Sequence, residues 1–306
     1  MIKYIAKRIL VTIPVLIGVI FLIFVMLSVV PGDPLTVMMG EKVKVDVIER
    51  LSESMHFNDP WYIRFIWYLW GILHGDFGTS YKLMRSVSSL IANAFPKTLL
   101  LAVTAAVLSW AIGIPAGIIS AVKKNSVADH LFMGFALCGV SIPAFSVGML
   151  LQNVFNGILP VSGFSSPRHL ILPAIVLGWN SAGTIARLTR SSLLEVMEDD
   201  YIRTARAKGL APVSVVLRHA LKNSMLPVIT MMAIQISSLL SGAVITETLF
   251  SIPGVGRLAV DAINSRDMPL LQGTVIFTTT VIIAGNLIAD ILYCVADPRI
   301  RVEGGN

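Results

Sequence analysis

Asp200-Tyr201-Ile202-Arg203-Thr204-Ala205-Arg206-Ala207-Lys208-Gly209 is a polar stretch set between two long apolar segments. Tyr201, Ala205 and Lys208 recur at spacings of four and three, which places them on one face of a short helix. Gly209 ends that helix in the manner of a C-terminal glycine, and Pro212 opens a second one. The expected unit is therefore helix, sharp corner, helix. Small residues at Thr204, Ala205 and Ala207 allow a partner to come close. Taken alone, such a unit is either a solvated connector or a docking element that fits a groove.

Its surroundings belong in a membrane. The 306 residues are 55% hydrophobic and only 14% charged, with a mean hydropathy of +0.78; soluble domains carry about 25% charged residues. A bilayer core needs about 20 apolar helical residues, and uncharged runs of that order occur at 9–30, 99–122, 131–159, 170–186, 225–246 and 270–289. The sequence thus predicts an all-α polytopic membrane protein with six transmembrane helices. Pro143 marks a kink or break in the third. The first follows Lys3, Lys7 and Arg8, but it is too long for the core of a signal peptide and lacks a small-x-small cleavage pattern, so it reads as an anchor.

Orientation follows from Lys and Arg. With an internal N-terminus and six spans, the segments 1–8, 123–130, 187–224 and the tail from Asp290 are cytoplasmic. They hold 14 basic against 8 acidic residues, while the remainder holds 10 of each. The whole net charge of +6 lies on the inner side. Topology accounts for the charge without nucleic acid as a partner.

The expected organisation is an N-terminal anchor helix (1–30), an external segment (31–96), a transmembrane domain of five helices (97–296) containing the cytoplasmic loop 187–224, and a cytoplasmic tail (297–306). In the external segment Asp59-Pro60 is a helix start, an N-cap acid with proline at the first helical position. The aromatic run Trp61 to Trp70 that follows suits either the headgroup layer or packing on neighbouring spans. Cys138 and Cys294 lie in or beside apolar runs and read as small hydrophobes.

The loop also carries a resemblance. Tyr201 to Gly209, followed by Leu217-Arg218-His219-Ala220-Leu221-Lys222-Asn223-Ser224-Met225-Leu226-Pro227, resembles the cytoplasmic loop of the dipeptide, oligopeptide, glutathione and nickel permeases of ABC importers. The likeness extends through Pro31-Gly32-Asp33-Pro34, Gly75-Asp76-Phe77-Gly78-Thr79-Ser80, Ser141-Ile142-Pro143, Glu247 to Arg257 and Asp297-Pro298-Arg299-Ile300. Against the importer-wide pattern of Glu-Ala-Ala, three residues, then Gly, only Ala205 and Gly209 match. Lys222 stands where that pattern has proline, as in the peptide subfamily. Between Pro143 and Pro160 the chain is a few residues shorter than the pattern.

The resemblance implies a type I ABC importer transmembrane subunit in a bacterial or archaeal plasma membrane, with both termini cytoplasmic. Its implied partners are a second homologous permease, two ABC ATPases and an external solute-binding protein. The chain would form half of the pathway for peptides or related small solutes, with glutathione or nickel chelates as the alternative cargo. It implies a coupling helix at 200–209, with Tyr201, Thr204 and Ala205 on the seated face, Arg203, Arg206 and Lys208 on the rim, and Gly209 at the corner. Glu247, Pro253, Gly254 and Gly256 are candidates for an external gate or binding-protein contact, or else Glu247 caps and orients the turn before Pro253.

No Gly-x-x-x-x-Gly-Lys-Ser/Thr run occurs, so ATP and Mg belong to partner ATPases. The chain itself is expected to be a transport subunit without a catalytic, cofactor or metal site. An intramembrane serine protease is the enzyme alternative, from Gly139-Val140-Ser141-Ile142. The five histidines, however, lie outside or at the edges of the spans, which leaves that serine without a base. A cation-coupled transporter would carry intramembrane ionisable residues and an internal repeat, and neither is evident. Asp290, at the inner end of the last span, is expected to be structural. Asn153, Asn156, Asn180, Gln235 and Asn286 are expected to join helices or to line a wet cavity.

Overall fold

The computed structural model describes residues 2–29 and 59–296. Pro31 to Pro34, the rest of 31–58 and the tail 297–306 lie outside the described residues, as does the side chain of Asp290.

The described chain is helical: α1 (Ile2–Val29), α2 (Trp61–Leu73), α3 (Val87–Val122), α4 (Val127–Ser141), α5 (Ala144–Val154), α6 (Ile171–Val196), α7 (Asp200–Ala207), α8 (Leu221–Leu249), α9 (Val255–Ser265) and α10 (Met268–Ala296). A 3-10 turn, Pro167–Leu170, leads into α6, and a helical turn, Pro212–Ser214, followed by a π-helical segment, Val215–Ala220, leads into α8. Apart from these there is a single bridge between Thr79 and Ser86 among the described residues.

Four described helical segments are long and apolar enough to cross a bilayer: Val87–Val122, Pro167–Val196, Pro212–Leu240 and Met268–Ala289. A fifth arises if α4 and α5 form one span, but they meet at 106°. The described apolar stretch of α1, Leu10–Val25, falls short of that length. Among the described residues the count is thus four or five, so the six expected from uncharged runs is not confirmed. Pro143 explains the bend: it has no N–H to continue the ladder of α4 and disfavours a helical Ile142, which is extended at ψ 127°. The boundary drawn at 96/97 lies within α3, which runs through Pro96 and Pro115. Prolines are tolerated in membrane helices where neighbouring groups satisfy the freed backbone.

α6 is the central post, packed against α3, α4, α5 and α8. Lipid tails are as apolar as leucine, so helices in a bilayer associate through close packing of small residues. An added Cβ at Gly117 would lie 2.5 Å from the Ala186 carbonyl oxygen and 2.6 Å from Thr189 Cβ, and one at Gly113 would lie 2.7 Å from the Ala182 oxygen. These contacts bring the backbones of α3 and α6 together. Around them Leu101, Ala105, Leu172, Val176, Ala243, Phe250 and Ile252 form the main buried cluster. Gln235 adds a polar tie, donating to the Ser181 carbonyl at 3.0 Å and accepting from Trp110 at 3.4 Å.

α2 splits the two readings of its aromatics. Phe65 packs edge-on against Phe21 and Phe24 of α1, with centroids at 5.2 and 5.4 Å, and Tyr68 lies 6.0 Å from Phe24. Trp61, Ile66, Trp67 and Trp70 point outward. Pro60 occupies the N-cap position rather than the first helical one, and no side chain caps the helix.

Replacing Gly117 with leucine should lower the thermal unfolding midpoint of the detergent-solubilised protein, an overpacking cost of about 1–3 kcal/mol. Gly134→Leu, where nothing lies within 4 Å of the added Cβ, should leave it unchanged. Equal midpoints for the two variants would show that α3 and α6 are not held by this contact.

Candidate functional site

The loop after α6 folds as its residues dictate. α7 spans Asp200–Ala207, Gly209 adopts φ +76°, and Pro212 stands at the first helical position of the next turn. The left-handed backbone at Gly209 costs other residues about 1–2 kcal/mol, which is why glycine occupies the corner.

α7 rests on its own chain. Ile202 and Ala205, 0% and 6% exposed, join Ala121, Leu193, Val215, Val216 and Ala220 in a compact cluster. Ala205 is therefore turned inward and not toward an outside partner. Tyr201, Arg203, Thr204, Arg206, Lys208 and Gly209 are exposed. The Tyr201 hydroxyl accepts from Asn223 Nδ2 at 2.9 Å, tying α7 to the start of α8. Arg203 pairs with Asp200 at 3.3 Å, an exposed pair of little energetic weight. Arg206 reaches the sulfur of Met197 at 3.7 Å. Ile202 was not a candidate from the sequence, although it is the one large aliphatic side chain in an otherwise polar run and so the natural anchor.

Behind α7 lies a polar hub built around Asp129. Arg190 grips its carboxylate with two parallel bonds, Nε to Oδ1 and Nη2 to Oδ2, both 2.8 Å. The Asn125 N–H donates to Oδ2 at 2.9 Å, and the Ser120 hydroxyl donates to Oδ1. Asp129 is 3% exposed. One side chain thus joins the C-terminal turn of α3, the first turn of α4 and the last third of α6. Neither Asp129 nor Arg190 was singled out from sequence. The available signal was Ser126-Val-Ala-Asp129, a capping pattern in which Ser126 accepts from the Asp129 N–H at 3.3 Å.

The second predicted group sits at the other end of α8. Glu247 is fully buried; its Oε1 accepts from the Thr98 hydroxyl at 2.6 Å and its Oε2 from the Arg257 N–H at 3.0 Å. Thr98 in turn accepts from the Val255 N–H at 2.9 Å. The carboxylate therefore caps the N-terminus of α9, where backbone N–H groups and the helix dipole favour negative charge. Gly254 is required there, since an added Cβ would fall 2.3 Å from Glu247 Oε1. Gly256 is buried as well, and of the four candidates only Pro253 is exposed. This is the turn-orienting arrangement. A small, shallow pocket lined by residues including Phe95, Thr98, Val244, Gly256 and Phe277 adjoins it.

Asp267, 1% exposed, organises the neighbouring turn by accepting from the Ser80 hydroxyl and from the N–H groups of Tyr81 and Lys82, both at 3.2 Å. The Gly75 to Ser80 motif is thereby fastened to the start of α10. No group of three or more His, Cys, Asp or Glu that could hold a metal ion occurs among the described residues.

The described helices form a bundle of membrane-crossing length and apolarity, with a short helix presented beyond one end. Two family models match: the binding-protein-dependent transport system inner membrane component over residues 113–302, and the N-terminal part of such membrane components over residues 1–102. The chain belongs to this family and is a permease subunit of an ABC importer. The dipeptide transport system permease protein DppB of Escherichia coli (strain K12) is 40% identical over 336 aligned residues, covering 98% of this chain and 99% of that protein. The glutathione transport system permease protein GsiC of Salmonella typhimurium (strain LT2) is 41% identical over 306, covering 99% and 100%. Among solved structures, the inward-facing MetNI methionine ABC transporter aligns with TM-score 0.60 at 16% identity, over 68% of this chain and 96% of that one. An amino acid ABC transporter aligns with TM-score 0.53 at 14% identity, over 67% and 94%. The fold is that of a type I ABC importer membrane subunit.

Arg190→Met should destabilise the protein by about 3 kcal/mol, because it leaves a buried carboxylate unpaired. Adding Asp129→Leu should restore part of that loss. Thermal unfolding of both single variants and the double would measure the coupling, and strictly additive losses would count against the hub.

Proposed function

We propose that this chain forms half of the translocation pathway for peptides or related small solutes, and that α7 is the coupling helix through which a cytoplasmic ATPase drives it. The observation that carries the reading is α7 itself: a short helix anchored on its own chain by Ile202 and Ala205, with Tyr201, Arg203, Thr204, Arg206 and Lys208 left outward. Its outward face and basic rim suit a groove on an ATPase, a helix-in-groove mode of recognition.

In this reading the assembly holds a second homologous permease, two ATPases and an external solute-binding protein, with both termini of this chain cytoplasmic. The excess of Lys and Arg in the segments then assigned to the inner side supports that orientation. ATP-driven closure of the ATPases draws the coupling helices together, and the spans turn as semi-rigid bodies between inward-facing and outward-facing states. The cargo follows the relatives: a dipeptide or glutathione, each a small solute bearing carboxylates, with a nickel chelate as the alternative within the family.

Gly209→Val should lower ATP-driven uptake by about tenfold or more, since the corner must leave the left-handed region and re-aim α7. Membrane insertion should be retained, with a stability loss of about 1–2 kcal/mol from the strained corner. Uptake would be measured in vesicles holding the assembled importer and its binding protein, with alanyl-alanine, glutathione and a nickel–histidine chelate as probes. Undiminished uptake in a properly inserted variant would remove α7 from the coupling role.

A further inference from the structure

α6 is buried on most sides, and what it leaves exposed differs in kind from the exposed faces around it. Between Leu172 and Leu194 its exposed residues are Asn180, Arg187 and Ser191, with Thr184, Leu188 and Arg190 half-buried between them. The spacings of four, three and four place Asn180, Thr184, Arg187 and Ser191 on one helical face. On α3, by contrast, the exposed residues from Leu99 to Ile119 are Leu99, Leu100, Val103, Val107, Ala111, Ile112, Pro115 and Ile119, every one apolar. At 1.5 Å per residue the stripe runs about 17 Å along α6, starting about 13 Å from its first residue, so it begins well inside the bilayer thickness.

The two arginines of α6 are also used differently. Arg190 is consumed by Asp129. Arg187, three residues earlier, is exposed and makes no hydrogen bond or ion pair with any described residue. Arg187 stands at the inner end of the span, and a guanidinium there is suited to bidentate recognition of a carboxylate.

We propose that the Asn180–Thr184–Arg187–Ser191 face of α6 lines the water-filled solute path, and that Arg187 is its anion-reading residue, selecting solutes that carry a carboxylate. This rests on the reading of the chain as half of a translocation pathway. Asn180 already shows how the stripe is fixed: its amide donates to the Gly139 carbonyl at 3.4 Å, holding it against α4 near the bend. Thr184 and Ser191 turn their hydroxyls back to the Asn180 and Leu188 carbonyls, at 3.2 and 3.0 Å. That leaves oxygen lone pairs for water, and Arg187 as the stripe's one fixed charge.

The test uses the full importer in native membranes, with Cys138→Ser and Cys294→Ser as background and single Thr184→Cys, Ser191→Cys and Val107→Cys variants. Two water-soluble thiosulfonates of similar size serve as probes, one carrying a sulfonate and one a quaternary ammonium. The Thr184→Cys and Ser191→Cys variants should react at least about tenfold faster than the Val107→Cys variant, which places its thiol on the apolar face. The anionic reagent should be favoured over the cationic one at both positions, after correction for their rates with a free thiol. Arg187→Gln should reduce that preference by about fourfold.

Reaction no faster at the stripe than at Val107 overturns the proposal, because the face is then covered by protein or lipid. A charge preference unchanged by Arg187→Gln overturns the role of Arg187. Copurification of the ATPases, and a change of labelling rate on ATP binding, report separately on the coupling reading. Their failure alongside fast labelling would sink that reading and leave a water-lined face in place.

Discussion

The approach of α3 to α6 is the constraint on which the other features depend. Two helices in hydrocarbon gain little from burying leucine against leucine, since lipid offers the same surroundings. They gain from contact close enough to exclude lipid altogether. Gly113 and Gly117 make this possible by letting the α6 backbone at Ala182 and Ala186 come where a Cβ would stand. α6 reciprocates at Gly178, where an added Cβ would lie 2.8 Å from the Ala105 carbonyl, and approaches α4 through Gly183, where it would lie 2.5 Å from the Ala136 carbonyl. The position of α6 along its axis is thereby set from two sides, and with it the position of everything fastened to its C-terminal end.

Asp129 and Glu247 extend that constraint to both ends of the bundle. Each is a buried carboxylate with one partner remote in sequence, Arg190 for Asp129 and Thr98 for Glu247, and each is satisfied differently. Asp129 has a bidentate guanidinium, a hydroxyl and a backbone N–H. Glu247 has one hydroxyl and a helix N-terminus. A buried carboxylate is geometrically demanding, because removing a partner leaves it unsatisfied. Such groups hold helix ends in register where the glycine contacts hold helix middles together.

The residues made the membrane class and the loop legible, and they did so for physical reasons. Apolar runs are long and uncharged because a bilayer requires it, and Gly209 and Pro212 mark a corner because few other residues fit those backbone angles. The number of crossing helices was less legible. Uncharged length does not reveal that the run through Pro143 folds back on itself at 106°, nor where a helix such as α3 begins, since Val87 to Lys97 is polar enough to read as loop. Asp129, Arg190, Asp267 and Ile202 escaped notice for a related reason. Each acts through a partner remote in sequence or through burial by remote elements, and a periodicity argument sees only neighbours along one helix. Glu247 was noticed because of its motif, and its capping of α9 became visible only through the distances to Thr98 and the α9 backbone.

If α7 transmits force, as proposed, it has to be seated on the helices it moves. α7 is joined on one side to the cluster holding Leu193 of α6 and on the other to Val215, Val216 and Ala220 at the entry to α8. Tyr201 adds a hydrogen bond to Asn223. Leu193 is in turn one helical turn beyond Arg190, so a push on α7 reaches α6 next to the point where Asp129 clamps it to α3 and α4. Displacement of α7 without displacement of these helices would have to break the apolar seat, the tyrosine bond or the bidentate pair. Because the glycine contacts leave α6 little freedom to slide, the lower-cost response is for α3, α4, α6 and the start of α8 to move as one body. That is the property a coupling helix needs, and it follows from how the loop is anchored rather than from which of its basic residues meets a partner.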